Sequence, residues 1–241
     1  MSIYGVWHLC LADTLESTTS QCIKLEQSGL LDATDTLFVN LVGDPYGSYK
    51  LPFFERWGKK NNILYSRTYN LHDFEYASLK FIYDLSHIGS MHSPINRQPF
   101  SNVNHPFKLY YIHSKGAFVK TWVDDVTRYK NVRLWRDYME HFVIEKWRDC
   151  VAALDTYDVC GVEWREKPLP HFSGNFWWAT DNYLGKLPNI LDYWSANQFE
   201  RIWAEMYIGQ ANPKYKDFCN FGKDMYFTPI TKEMYCGKGG N

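Results

Sequence analysis

LYYIHSKG, residues 109–116, is the stretch on which the fold turns. Leu109 to Ile112 are apolar or aromatic without interruption, as in a buried strand, and His113-Ser114-Lys115-Gly116 ends the run in polar groups and a glycine. Working outward, IYGVWHLC at 3–10, TLFVNLV at 36–42, NILYSR at 62–67 and DVCGVEW at 158–164 read as further strands. Helical patterns lie between them. One covers 13–28 and is closed by Gly29 as a C′ glycine; another runs from about 73 to 86 with Phe74, Ala77, Leu79, Ile82 and Leu85 available to the core. A long helix is expected at 132–154, with Trp135, Met139, Phe142, Val143, Trp147, Val151 and Leu154 on one face. A last helix is expected at about 197–208, after a short LPNIL turn. Such alternation predicts an α/β fold, a mostly parallel central sheet flanked by helices, with ligands bound beyond the carboxyl ends of the strands.

The chain has 241 residues, which fits one α/β domain over 1–208 and a C-terminal tail, 209–241, wrapped on its surface. Residues 87–106, rich in Ser, Asn, His and Pro, read as a long loop and a candidate lid. With 26 basic and 27 acidic residues the net charge is −1, so nucleic acid and anionic membranes are not expected as main partners. Any phosphate recognition must be local. No apolar run approaches the roughly 20 residues of a membrane helix, and the start lacks a basic segment before its apolar part. A soluble, cytoplasmic protein without a membrane span is expected. The six cysteines show neither a CxxC pair nor metal-finger spacing, and read as thiols in a reducing compartment.

HFSGNFWWA, residues 171–179, is poor as either regular strand or helix. Ser173, Gly174 and Asn175 suggest a tight turn presenting polar side chains to ligand hydroxyls, next to His171, while Phe176, Trp177 and Trp178 offer stacking surface. The same rings also fit an ordinary core, and the polar triplet an ordinary turn. In HSKG, His113, Ser114 and Lys115 can all donate hydrogen bonds to phosphate oxygens, and Gly116 lets the backbone approach a ligand. A βα-turn with a solvated lysine fits those residues too.

Taken in order, LYYIHSKG, LWRDYM, YDVCGVEW, HFSGNFWWA and RIWAEMYI resemble a glycosyltransferase-like family of GT-A type, with members in bacteria and large viruses. QSGLLDATDTLFVNLVGD is similar to that family's opening, and the likeness runs from about residue 3 to 208. The resemblance implies a Rossmann-like GT-A domain that takes a nucleotide-sugar donor and transfers the sugar to a glycan or polysaccharide acceptor. Many GT-A enzymes carry Asp-x-Asp, which binds a divalent cation on the donor diphosphate, at the strand end that LYYIH would occupy. This chain has no Asp-x-Asp, and His113-Ser114-Lys115 stands there instead.

A departing diphosphate gains negative charge that a metal or fixed protein charges must neutralise. Lys115, assisted by His113 and Ser114, is the expected neutraliser, and no metal ligands are assigned. Manganese or magnesium held by His113, His171 and a carboxylate is the alternative. If transfer inverts the sugar, a carboxylate must take the acceptor proton. Glu205, four residues after Arg201 in RIWAE, is preferred on the family pattern over Glu75 in HDFEYASL and over Asp181. Glu205 and Arg201 equally fit a surface ion pair. Asp124-Asp125 reads as a solvated acidic loop, and His8, His72, His87, His92, His105 and His141 as surface or loop histidines. A carbohydrate- or nucleotide-sugar-binding protein without turnover is the competing function. A nucleotidyl- or phosphotransferase lacks support, because there is no GxxxxGK[ST] loop. Donor identity, acceptor, stereochemistry and oligomeric state are not written in the sequence.

Overall fold

The structure is a computed structural model; it describes residues 1–10, 15–43, 57, 62–68, 75–87, 103–115, 126–197 and 200–237. Strand β1 (Ser2–Cys10) is followed by α1 (Leu15–Gln27), α2 (Leu30–Ala33), β2 (Thr36–Val42) and β3 (Ile63–Thr68). Then come α3 (Tyr76–Ser86), β4 (Phe107–His113), α4 (Val126–Glu140) and α5 (Trp147–Ala153). Short strands β5 (Val159–Gly161), β6 (Trp164–Arg165), β7 (His171–Phe172) and β8 (Trp177–Thr180) lead into α6 (Asp181–Leu184), α7 (Ile190–Ala196) and α8 (Ile202–Met206). Strand β9 (Tyr215–Asp217) and α9 (Lys232–Tyr235) end the described chain.

One seven-stranded sheet has the order β3-β2-β1-β4-β8-β5-β9. β1 to β4 pair in parallel, β8 is antiparallel to both its neighbours, and β9 is parallel to β5. The mostly parallel α/β sheet expected from the alternation is thus present. Strands buried on both faces have no polar side, which is why β1, β2 and β4 read as nearly continuous apolar runs. Trp7, Leu9, Val39, Leu41, Tyr110 and Ile112 pack under α1, α2, α4 and α5. Tyr4, Val6, Phe38, Leu109 and Tyr111 pack under α3, α6, α7 and α8 on the other face. Gly29 stops α1 with φ 74°, a left-handed conformation in which glycine carries no Cβ strain.

The long helix expected at 132–154 starts earlier and is interrupted. A π-helical turn spans His141–Glu145, where the Lys146 N–H reaches the His141 carbonyl five residues back at 2.9 Å. The extra residue rotates the following turn, so Cys150 is fully buried while Val151 packs against the core only partly buried. DVCGVEW is two strands, because Glu163 adopts φ 58° between them. The LPNIL turn opens α7, whose first amides, Leu191 N–H and Asp192 N–H, are capped by the Asn189 side chain.

The expectation of a surface tail is corrected. β9 extends the sheet, with the Phe218 N–H on the Gly161 carbonyl at 2.9 Å, and Met225 and Ile230 are buried in the core beneath α4. Residues 215–230 therefore belong to the domain itself. Most of the candidate lid, residues 88–102, lies outside the described residues, as do His72, His92 and Asp124-Asp125. Among the described residues no helix is long and apolar enough to cross a membrane.

Candidate functional site

Strand register builds the first part of the site. His8 pairs with Asn40 on one side and His113 on the other, and Asn40 pairs with Ser66. Register partners in a parallel sheet point to the same face, so the carboxyl ends of four strands present a polar row where Tyr4, Val6, Phe38 and Tyr111 were apolar. Ser78 from α3 closes the row, 3.0 Å from His8 Nδ1 and accepting from Asn40 Nδ2 at 3.0 Å, and Ser66 Oγ donates to Asn40 Oδ1 at 3.0 Å. Glu75, just before α3, accepts from Tyr111 Oη at 2.7 Å and Asn175 Nδ2 at 2.6 Å. His8 and Glu75 are both buried, which corrects the reading of His8 as a surface histidine.

Burial outweighs the attraction of Glu75 and pushes His8 down to about 4. Burial alone would raise Glu75, but His113, His8 and the Tyr111 hydroxyl hold it down at about 2. Between pH 6.5 and 4 the unfolded chain binds a proton at His8 that the folded chain refuses, so stability falls as pH falls through this window. The expected contribution is about 3 kcal/mol, present above pH 6.5 and lost on approaching pH 4. Urea unfolding at a series of pH values checks it: the difference between wild type and His8→Gln should shrink steadily as pH drops across this window, and a constant difference would refute it.

The second part is the turn between β7 and β8. Gly174 has φ 92° and Asn175 φ 58°, with the Asn175 N–H on the Phe172 carbonyl at 3.0 Å. His113 Nε2 donates to the Gly174 carbonyl at 2.8 Å; a carbonyl only accepts, so in the neutral ring Nδ1 carries the lone pair. Burial pushes His113 down, against the pull of Glu75. The Gly174 N–H donates to Glu205 Oε2 at 3.1 Å. One glycine thus joins the end of β4 to the carboxylate of α8.

Three expectations for this turn are corrected. Asn175 is fully buried, its Oδ1 accepting from Trp177 Nε1 at 2.8 Å, so its side chain braces the turn and does not meet a ligand. Trp177 and Trp178 are also fully buried and offer no stacking surface. The reason is topological: β8 lies inside the sheet between β4 and β5, with helices on both faces. Trp178 Nε1 is spent on the Val143 carbonyl at 2.9 Å. Asp181 is the first residue of α6, which Thr180 caps, at the far end of β8 beside the start of β4, and so stands at the opposite edge of the sheet from His113.

In HSKG, Ser114 Oγ accepts the Cys10 N–H at 2.8 Å and the Ser114 N–H donates to the His8 carbonyl, which ties β4 to β1. Lys115 is buried, its ammonium 3.7 Å above the Trp135 ring. It is pushed down by burial, against the opposing pull of Glu205 and with a further push from Arg201. Gly116 lies outside the described residues.

Beyond this edge opens a cavity of about 640 Å³. His171, Ser173 and Arg201, expected to bind substrate, and Glu205, expected as the base, all line it. So do Trp135, expected only as a core position of the long helix, and Arg165, Lys167, Lys223, Asp224 and Tyr226, which no expectation named. Lys115, expected to meet the ligand, is not among the residues that line the cavity: its ammonium sits over the ring of Trp135, which does line it. Trp135 Nε1 is buried with no hydrogen-bond partner among the described residues. His171 Nδ1 donates to the Leu169 carbonyl at 2.7 Å, which leaves Nε2 of the neutral ring as an acceptor. Arg165, Lys167, Arg201 and Lys223 against Glu205 and Asp224 give the lining a cationic balance suited to an anion. Among the described residues no group of three or more His, Cys, Asp or Glu side chains is placed to hold a metal ion.

Residues 8–228 match the model of a family described as a domain of unknown function, DUF8361. The chain belongs to the DUF8361 family. No curated protein matches it. The DUF8361 match begins at His8 of the polar row and runs through β9 and the 222–226 cavity wall. The family unit therefore contains every described part of the site.

Proposed function

We propose that this protein is a GT-A-type glycosyltransferase that moves a sugar from a nucleotide-sugar donor to a hydroxyl of a glycan or polysaccharide. The observation that carries the reading is the cavity itself: a cationic lining beyond the carboxyl end of β4, with the Glu205 carboxylate pinned to the Gly174 N–H inside it. In transfer, the bond from the anomeric carbon to the diphosphate breaks and a bond to the acceptor oxygen forms. On an inverting course the acceptor proton passes to Glu205. The diphosphate leaves with added negative charge, which Arg201 and the Lys115 ammonium behind Trp135 are placed to offset. A buried ammonium with burial working against its charge gains most from such an anion.

Ser114 and Asn175 are positioning residues in this scheme, holding β4 and the glycine turn. His113 does the same through the Gly174 carbonyl. A cytoplasmic setting is part of the proposal, supported by Cys150, Cys160, Cys219 and Cys236, which are free thiols.

Lys115→Ala is expected to weaken binding of a nucleoside diphosphate up to about tenfold, the worth of a nearby charge that acts from behind Trp135 without direct contact. Isothermal calorimetry over a panel of nucleoside diphosphates and sugar nucleotides, with and without manganese, measures it. Absence of binding by every member of the panel overturns the reading. The competing function, a binder without turnover, draws on the missing Asp-x-Asp. Release of nucleoside diphosphate from a sugar nucleotide in the absence of acceptor decides against it.

A further inference from the structure

The cations that line the cavity fall into two groups. Arg201, just before α8, stands one turn from Glu205, and its charge acts on His8, Glu75 and Lys115. That is the group assigned above to the departing diphosphate. Arg165, Lys167 and Lys223 come from two other segments, β6 with the loop after it and the 222–226 wall. Arg165 joins these segments: its Nη2 donates to Glu163 Oε2 and to the Lys223 carbonyl, both at 2.8 Å. Both hydrogens of that nitrogen are spent, which leaves those of Nη1 to meet a ligand. Glu163 balances the guanidinium and is itself fully buried. Lys167 and Lys223 are exposed, and among the described residues no carboxylate pairs with either ammonium.

We propose that the acceptor is an anionic saccharide whose carboxylate or phosphate is held by Arg165, Lys167 and Lys223, while the donor diphosphate takes Arg201. The inference rests on the transferase reading above and adds to it the class of acceptor. Arg165 and His171 are register partners across β6 and β7, so their side chains leave the same face of the hairpin, about 5 Å apart at Cβ. His171 Nε2 can accept from a sugar hydroxyl, and the guanidinium beside it can donate to an anionic group on the same ring. The two lysines add point charges around that group.

A neutral acceptor has no use for three further cations. An anionic one needs them, because Glu205, Asp224 and the donor diphosphate would otherwise repel it within the same cavity of about 640 Å³. Asp224 is turned toward its own chain, its Oδ1 accepting the Tyr226 N–H at 2.9 Å.

Isothermal calorimetry on the full chain, without donor, tests the proposal with maltotriose, maltotriose monophosphate and trigalacturonate as probes. At low salt at least one anionic probe is expected to bind about tenfold tighter than maltotriose, and the phosphate and uronate arms tell the two anions apart. In the double variant Lys167→Gln/Lys223→Gln that preference should shrink to about twofold or less, as it should in the wild type when salt is added. Both lysines are exposed, so the variant keeps the fold. Equal binding of charged and neutral probes, absence of binding by all of them included, overturns the proposal. So does a preference that survives the double substitution, or a double substitution that weakens nucleoside diphosphate binding as much as anionic saccharide binding. No sugar nucleotide enters the saccharide titrations, so failure of the donor panel to bind strikes the transferase reading alone and is told apart from failure here.

Discussion

Glu205→Gln is expected to lower the turnover of sugar transfer by about two to four orders of magnitude while leaving nucleoside diphosphate affinity unchanged. The amide keeps an oxygen that can accept the Gly174 N–H, now at 3.1 Å from Glu205 Oε2, so the turn and the cavity persist. What is lost is the ability to take a proton from the acceptor hydroxyl. The affected parameter is therefore kcat, since the missing interaction belongs to the transition state and not to the bound donor. Steady-state kinetics on whichever donor the calorimetric panel selects, paired with calorimetry on the variant, separate the two. A kcat within about tenfold of wild type would remove Glu205 as the base, because general-base contributions are rarely so small. A fall in affinity equal to the fall in kcat would instead make Glu205 a binding residue.

Gly174→Ala carries the largest expected effect on stability. At φ 92° an alanine is strained, and its Cβ would run into Met139 Sδ and stand 3.0 Å from Trp135 Cζ2. Backbone strain and overpacking each cost on the order of 1–3 kcal/mol, so a total loss of about 3 kcal/mol is expected. Urea unfolding should show a lower midpoint with an unchanged slope. Gly185 provides the contrast. Its φ is −67° and the nearest atom to an added Cβ, the Asp181 carbonyl oxygen, is at an ordinary 3.5 Å, so Gly185→Ala should be neutral or slightly stabilising. Equal losses at the two glycines would show that the geometry of the 173–176 turn is not what the chain depends on.

Both predictions concern the same few atoms, because Gly174 is held from three directions. Its carbonyl takes the His113 imidazole, its N–H gives to Glu205, and its missing side chain leaves room for Met139 and Trp135. Trp135 then carries the Lys115 ammonium on its ring and forms part of the cavity wall. A disturbance at position 174 is therefore expected to reach both halves of the proposed site.

Much of the scaffold is written locally. β2 covers Thr36–Val42 as its apolar run predicts, β1 and β4 differ from expectation only at their first residues, and Gly29 ends α1 in the left-handed conformation its position implies. Burial on both faces leaves an uninterrupted apolar signature, and a helix end has few residue types that suit it. Period and punctuation survive in one dimension because they act between residues a few positions apart.

The site was legible only in part. His171, Ser173, Arg201 and Glu205 do meet at one cavity, but Trp177 and Trp178 are core, since an antiparallel strand inserted in mid-sheet has no free face. His8 joins Asn40, Ser66 and His113 only through strand register, which no local pattern records. Lys223 to Tyr226 reach the cavity wall because β9 adds to the edge of the sheet. Local sequence thus determined β1 to β4 and the end of α1, but not β7, β8 or β9. Which side chains share a pocket was decided by pairing and packing between distant segments, where the free energy depends on the whole arrangement and not on neighbouring residues.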